Sequence, residues 1–198
     1  LWLAVLGMAL GGALHAQEDD DAGRGVARIS LIGGDVSVRR GDSGEWVAAA
    51  LNAPVVADDT LSTGAGARAE VQFDNANMIR VAGDSEVRLA QLEDDRYVVQ
   101  IARGTVTFRV LRDTRADVEL DTPSVSVRPS GRGAYRITVR EDGESEITVR
   151  SGEAEIFTPG GAERLRPGST MEVRGSASDP QFRLLAEIRR DSWDEWNV

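Results

Sequence analysis

Glycine recurs in this chain ahead of short runs in which apolar and polar residues alternate, as in GDVSVR, GTVTFR, GESEITVR and GEAEIF. An alternation of period two places one row of side chains on a core and the next in water, which only a half-buried β-strand can use. Asp35 to Arg39 has this pattern, and so do Arg68 to Phe73, Thr105 to Val110, Tyr135 to Arg140 and Glu146 to Arg150. In the second of these runs, Ala69, Val71 and Phe73 share one face. Between the runs lie turn-forming stretches: Gly33-Gly34, Gly41 to Gly44, Asn52-Ala53-Pro54, Gly64 to Gly66, Asp74 to Asn77, Thr122-Pro123, Pro129 to Gly133 and Glu141 to Glu144. The reading is all-β, either solenoid-like or an irregular sandwich of short strands. The repetition has no fixed period. Tyr97 to Ile101 and Thr105 to Val110 read as two strands parted at Arg103-Gly104. Trp46 reads as the core filler of the first β unit.

Composition removes most chemistry. The chain has 198 residues and is 41% hydrophobic, enough for one domain with a real core. It contains no Lys and no Cys, so Schiff-base, thiolate and zinc–cysteine chemistry are excluded. The one histidine, His15, lies in the N-terminal apolar segment. The acidic pairs Asp58-Asp59, Glu93-Asp94-Asp95 and Glu141-Asp142 sit in turn contexts, where Asp caps and bends the chain. Ser62 to Gly66 is Gly-rich but lacks the lysine and the strand-to-helix setting of a phosphate loop. No catalytic residue, cofactor or metal site is expected. A net charge of −10 repels phosphate backbones and argues against nucleic acid as a partner.

The two ends read differently from the middle. Residues 1–16, LWLAVLGMALGGALHA, resemble the apolar region and cleavage site of a signal peptide already cut at its start. The alternative is an uncleaved membrane anchor. Residues 17–24 form an acidic linker, residues 25–175 the β domain, and residues 176–198 a linker leading into a C-terminal helix or extension that also reads as cut. Phe182, Leu185, Ile188 and Trp193 stand near helical spacing behind Asp179-Pro180. Trp193 and Trp196, three apart, are expected either to staple this helix to the β body or to form a partner surface.

Motif spacing over Gly25–Val173 resembles the FecR-like domain family. The residues that carry the resemblance are Gly34-Asp35-Val36, Trp46, the step Asp59-Thr60-Leu61-Ser62-Thr63-Gly64, then Arg68 to Val71 and Phe73-Asp74-Asn75. Gly104-Thr105-Val106, Thr122-Pro123 with Val125 and Val127, and Gly133-Ala134-Tyr135 continue it. Gly34, Val36, Trp46, Leu61, Thr63, Gly64, Gly104 and Pro123 are its structural motif positions. Two departures are Ser126, where a small apolar residue is common, and the stretched turn Ser130-Gly131-Arg132. The resemblance implies an exported, solenoid-like β domain in a family whose best-known members relay outer-membrane signals to a sigma factor.

Three functions follow as expectations. The first is a non-enzymatic periplasmic interaction or sensory module of the stand-alone variety, with envelope proteins as partners and strand addition at a sheet edge as one mode of contact. The second is an inner-membrane regulator of a sigma factor, which requires the N-terminal segment to stay uncleaved. The third is a carbohydrate-binding β-solenoid, which requires a cleft with converging carboxylates and exposed aromatics. The sequence leaves any small-molecule ligand unknown.

Overall fold

Strands with one apolar face must bury it against another layer, and here two sheets close over each other. The computed structural model describes residues 25–198, so the expected leader and acidic linker lie outside the described residues. Its strands are β1 (Ala27–Gly33), β2 (Val36–Arg39), β3 (Trp46–Ala48), β4 (Pro54–Val55), β5 (Thr60–Thr63), β6 (Arg68–Gln72), β7 (Asn77–Val81), β8 (Glu86–Leu92) and β9 (Arg96–Val110). After these come β10 (Asp117–Asp121), β11 (Ser126–Pro129), β12 (Gly133–Val139), β13 (Ser145–Ser151), β14 (Ala154–Thr158), β15 (Gly161–Leu165), β16 (Ser169–Ser176) and β17 (Asp179–Ala186), and then one helical turn, α1 (Ser192–Trp196). The described residues are all-β with a short C-terminal helix.

The strands form two open sheets that share β9. Sheet I runs β4-β1-β6-β7-β9-β12-β13-β16-β17. Sheet II runs β3-β2-β5-β8-β9-β10-β11-β14-β15. Every pairing is antiparallel except β9 with β10. Beyond β9 the chain adds hairpins to the sheets in turn, β12–β13 and β16–β17 to sheet I and β14–β15 to sheet II. One core results. Ile29, Ile79, Val106, Ile137 and Ile147 enter it from sheet I, and Leu61, Val99, Ile101, Leu120 and Ile156 from sheet II. Phe73 stacks on Tyr97 at 5.0 Å and tilts against Phe108 at 5.8 Å, closing one end.

β9 differs from the sequence expectation. The two runs around Gly104 are one strand of 15 residues. Its first part pairs within sheet II up to Arg103, and its second pairs within sheet I from Gly104 onward. The strand changes sheets at Gly104, where φ is +90°. A Cβ there would lie 2.1 Å from the Ser85 Oγ. That hydroxyl accepts the Thr105 N–H at 3.1 Å, so glycine lets the crossing strand seat against a buried partner.

Several motif positions hold corners. Gly34, with φ +85°, turns β1 into β2 and backs onto Ala67. Val36 and Leu61 are buried in the core. The Thr63 hydroxyl donates to the Ala82 carbonyl at 2.5 Å and accepts the Ser85 N–H at 3.1 Å. The Gly64 N–H donates to the Asp35 carbonyl at 2.9 Å. Buried Asp59 accepts the Arg40 guanidinium at 2.7 Å and the N–H groups of Gly41 and Val56 at 3.0 and 3.1 Å. Pro123 sits exposed in the β10–β11 turn. Ser126 donates to Asp121 at 2.5 Å, so the polar departure there has a partner.

Two further expectations need correction. Trp46 does not fill the core; it is 51% exposed on the short edge strand β3. It pairs in register with Arg39, and Arg39 alternates with the core residue Val38, so Trp46 falls on the outer face. Its ring lies 5.9 Å from the Arg39 guanidinium. Likewise the helix expected from Asp179-Pro180 onward is a strand as far as Ala186. Phe182 and Leu184 continue the period-two rows of Val173 and Met171 opposite them, and this tertiary pairing overrides the helical spacing of Phe182, Leu185 and Ile188. The helix is confined to Ser192–Trp196.

Replacing Gly104 by Ala should destabilise the fold by about 2–4 kcal/mol, from backbone strain and from overpacking against Ser85. Gly131, with φ +105° but open space around it, is the control, and its Ala variant should lose less. Urea unfolding midpoints compare the two.

Candidate functional site

The outer face of sheet I is covered by the chain's own C-terminal segment. Strand registers align Glu70, Arg80, Thr107, Arg136, Thr148 and Thr170 in one row across β6, β7, β9, β12, β13 and β16. Each alternates with core residues, so the row points away from the core. Yet Thr107, Thr148 and Thr170 are buried and Arg136 is 9% exposed. Residues 187–198 lie over them.

The segment crosses the strands along this row. The Ile188 N–H donates to the Thr170 hydroxyl at 3.2 Å. Arg136 Nη1 donates to Asp191 at 2.9 Å and to Asp194 at 2.7 Å. Arg150 grips Asp194 with two parallel bonds, Nε to Oδ1 at 3.0 Å and Nη2 to Oδ2 at 2.6 Å. It also donates to the Ile188 carbonyl at 2.6 Å and to Glu187 at 2.8 Å. The Trp193 indole N–H donates to the Thr107 hydroxyl at 2.9 Å. Further on, Arg80 donates to the Trp196 carbonyl at 3.0 Å, and Arg109 to that of Asn197. The Arg68 and Arg80 guanidinium groups lie 5.1 and 4.7 Å from the Trp196 ring, a distance at which cation–π attraction acts. Trp193 and Trp196 thus both pack on the sheet, their rings 5.1 Å apart.

One helical turn cannot hold itself in water. Asp191 caps α1 by accepting the N–H groups of Trp193 and Asp194 at 3.0 and 3.1 Å, and Asp194 answers by accepting the Asp191 N–H at 3.3 Å. Both capping carboxylates are therefore also the arginine ligands. Asp194 is 6% exposed, and a buried carboxylate held by two guanidinium groups is costly to break by removing one partner.

Charge crowding shapes the site. Burial, and then Arg80 nearby, pull the Arg109 guanidinium down from its ordinary value. Burial acts the same way on Arg150, but Glu187 and Asp194 outweigh it and hold Arg150 up. For Asp191, burial raises the carboxyl, while the bond from the Asp194 N–H and the Arg136 guanidinium outweigh it and hold it below the ordinary 3.8.

Sequence reasoning singled out Trp193 and Trp196 and missed their receptors. In the alternating runs the strand arginines fall in the row turned away from the core. The overlooked signal is that Arg68, Arg80, Arg109, Arg136 and Arg150 all fall on one face of sheet I, while the segment DSWDEW supplies the complementary acids and rings. A separate cleft on sheet II is lined by Arg39, Glu86, Arg88, Gln100 and Asp121, with no aromatic ring among its lining residues. Among the described residues, no group of three or more His, Cys, Asp or Glu could hold a metal ion, and no helix is long and apolar enough to cross a membrane.

The depressed Asp191 carboxyl contributes to docking fully above about pH 3.8, and that contribution is lost as pH falls through its lower folded value. The Trp193 indole N–H resonance should therefore hold its docked position at neutral pH and shift below about pH 4. In Arg136→Gln it should be displaced at every pH. A heteronuclear NMR titration reads both.

Comparison with known proteins places this fold. The family model described as FecR protein matches residues 59–155. Two crystal structures of a protein from Parabacteroides distasonis described as a candidate anti-sigma factor are similar, at 21% and 20% identity and a TM-score of 0.55 each. Each match covers 65% of this chain and 59% of that one, so the chain spans about three fifths of the length of these structures. No curated protein matches. The stretch that matches the FecR model, 59–155, takes in the buried Asp59 corner, the shared strand β9 and the sheet I row as far as Thr148.

Proposed function

We propose that this chain is an exported, non-enzymatic interaction or sensory module that acts by protein–protein contact in the bacterial periplasm or envelope. The FecR match over residues 59–155 carries this reading, because that family is regulatory. Two structural features support it. Acidic and aromatic groups are read on the outer face of sheet I by arginines and hydroxyls, which is recognition chemistry. At the far end of the sandwich, β15 and β17 are sheet edges, and Phe182 and Leu184 on β17 are 46% and 58% exposed. Such an edge can accept a partner strand. The net charge of −10 disfavours nucleic acid as that partner.

A second reading, a membrane-anchored regulator that relays an outer-membrane signal to a sigma factor, is favoured by the description of the similar Parabacteroides distasonis structures. The two readings part at residues 1–16. Intact mass of the product of the complete gene separates them. Cleavage after Ala16 is the expected result, and an uncleaved membrane-bound product would put the second reading first. Photo-cross-linking from position 184 in living cells should yield a discrete adduct with an envelope protein. No adduct from position 184, and none from position 46 on the opposite edge, would count against strand addition at the sheet edges as the mode of contact.

A further inference from the structure

The C-terminal segment sits on sheet I as a ligand sits in a site. Core faces of this protein are lined by Val, Ile and Leu, whereas the row beneath the segment is lined by Thr and Arg. Interfaces of that polar kind resemble those of contacts that form and dissolve, not those of permanent cores. The segment has no regular structure between Ala186 and Ser192, and its one helical turn depends on its contacts with the sheet. What the sheet reads is specific. A carboxylate is gripped by Arg136 and Arg150, an indole N–H reaches Thr107, and a second ring lies against Arg68 and Arg80. All three groups come from Trp193, Asp194 and Trp196.

We propose that this face of sheet I is a receptor for an acidic, tryptophan-bearing segment of a partner protein, and that residues 187–198 occupy it as a displaceable internal competitor. The recognised pattern is an acidic cap, an aromatic residue, a carboxylate directly after it, and a second aromatic three positions beyond the first. This names the partner class for the contact-based function proposed above and rests on that reading. A tethered segment competes at an effective concentration on the order of millimolar, so an outside segment must bind well or meet a loosened tail.

The probe is a fluorescein-labelled peptide of residues 187–198, and the receptor is the described chain with its tail in place. Trp196→Ala loosens the tail without baring a buried charge. Asp194→Asn loosens it more, and circular dichroism establishes that each variant is folded. By fluorescence anisotropy, both variants should bind the peptide about tenfold or more tightly than wild type does. Binding should weaken as salt is raised from low to high concentration. Adding Arg136→Gln to the Trp196→Ala chain should abolish it, as should Asp194→Asn in the peptide. Folded Trp196→Ala protein that binds no peptide overturns the proposal, and so does binding indifferent to Arg136→Gln. A wild-type dimer in light scattering that falls to monomer in Trp196→Ala would assign the face to a second copy and overturn it too. The in-cell cross-linking from position 184 reads the contact-based function at a different surface, so a failure here leaves that reading intact.

Discussion

β9 makes two sheets into one domain. Neither sheet has a core of its own, because each carries its apolar residues on one face only. The strand that belongs to both fixes how those faces meet, and it can do so only because the backbone at Gly104 turns without a side chain. Hairpins then add outward on either side with their alternation already in phase. A slip of one residue at the crossing would turn every later strand inside out.

Against that rigid body, the C-terminal segment is held by a different kind of force. The core is held by area removed from water, a force that has no direction and needs no charge. The tail is held by guanidinium–carboxylate pairs, a capping box and two indole rings on arginine. Such contacts are directional and responsive to conditions, and they permit exchange of one carboxylate for another. The two kinds of force are kept apart, so a change at the arginine face need not disturb the core.

Much of this was legible in the sequence. Strict alternation located most strands, and the turn residues located their ends, as at Asp74, whose carboxylate accepts the Ala76 and Asn77 N–H groups at 2.6 Å. Three things were not legible. Trp46 reads as a core filler in the sequence, whereas its parity with Arg39 puts it on the outer face. β17 carries both a helical and an alternating pattern, and only the presence of β16 selects between them. The arginine face was hidden because each arginine, taken alone, is an ordinary outward residue. The site exists only once register aligns β7, β9, β12 and β13, and register is a property of pairs of strands.

The absence of lysine takes on a meaning at this face. A guanidinium group keeps its proton under any condition in which the protein folds, so the sheet's half of the contact carries a fixed charge. The charge that acid removes from the contact is that of the Asp191 carboxyl, which Arg136 holds below its ordinary value. The grip is therefore one-sided: acid can open it, alkali cannot, and enzymes that neutralise lysine find nothing on it to act upon.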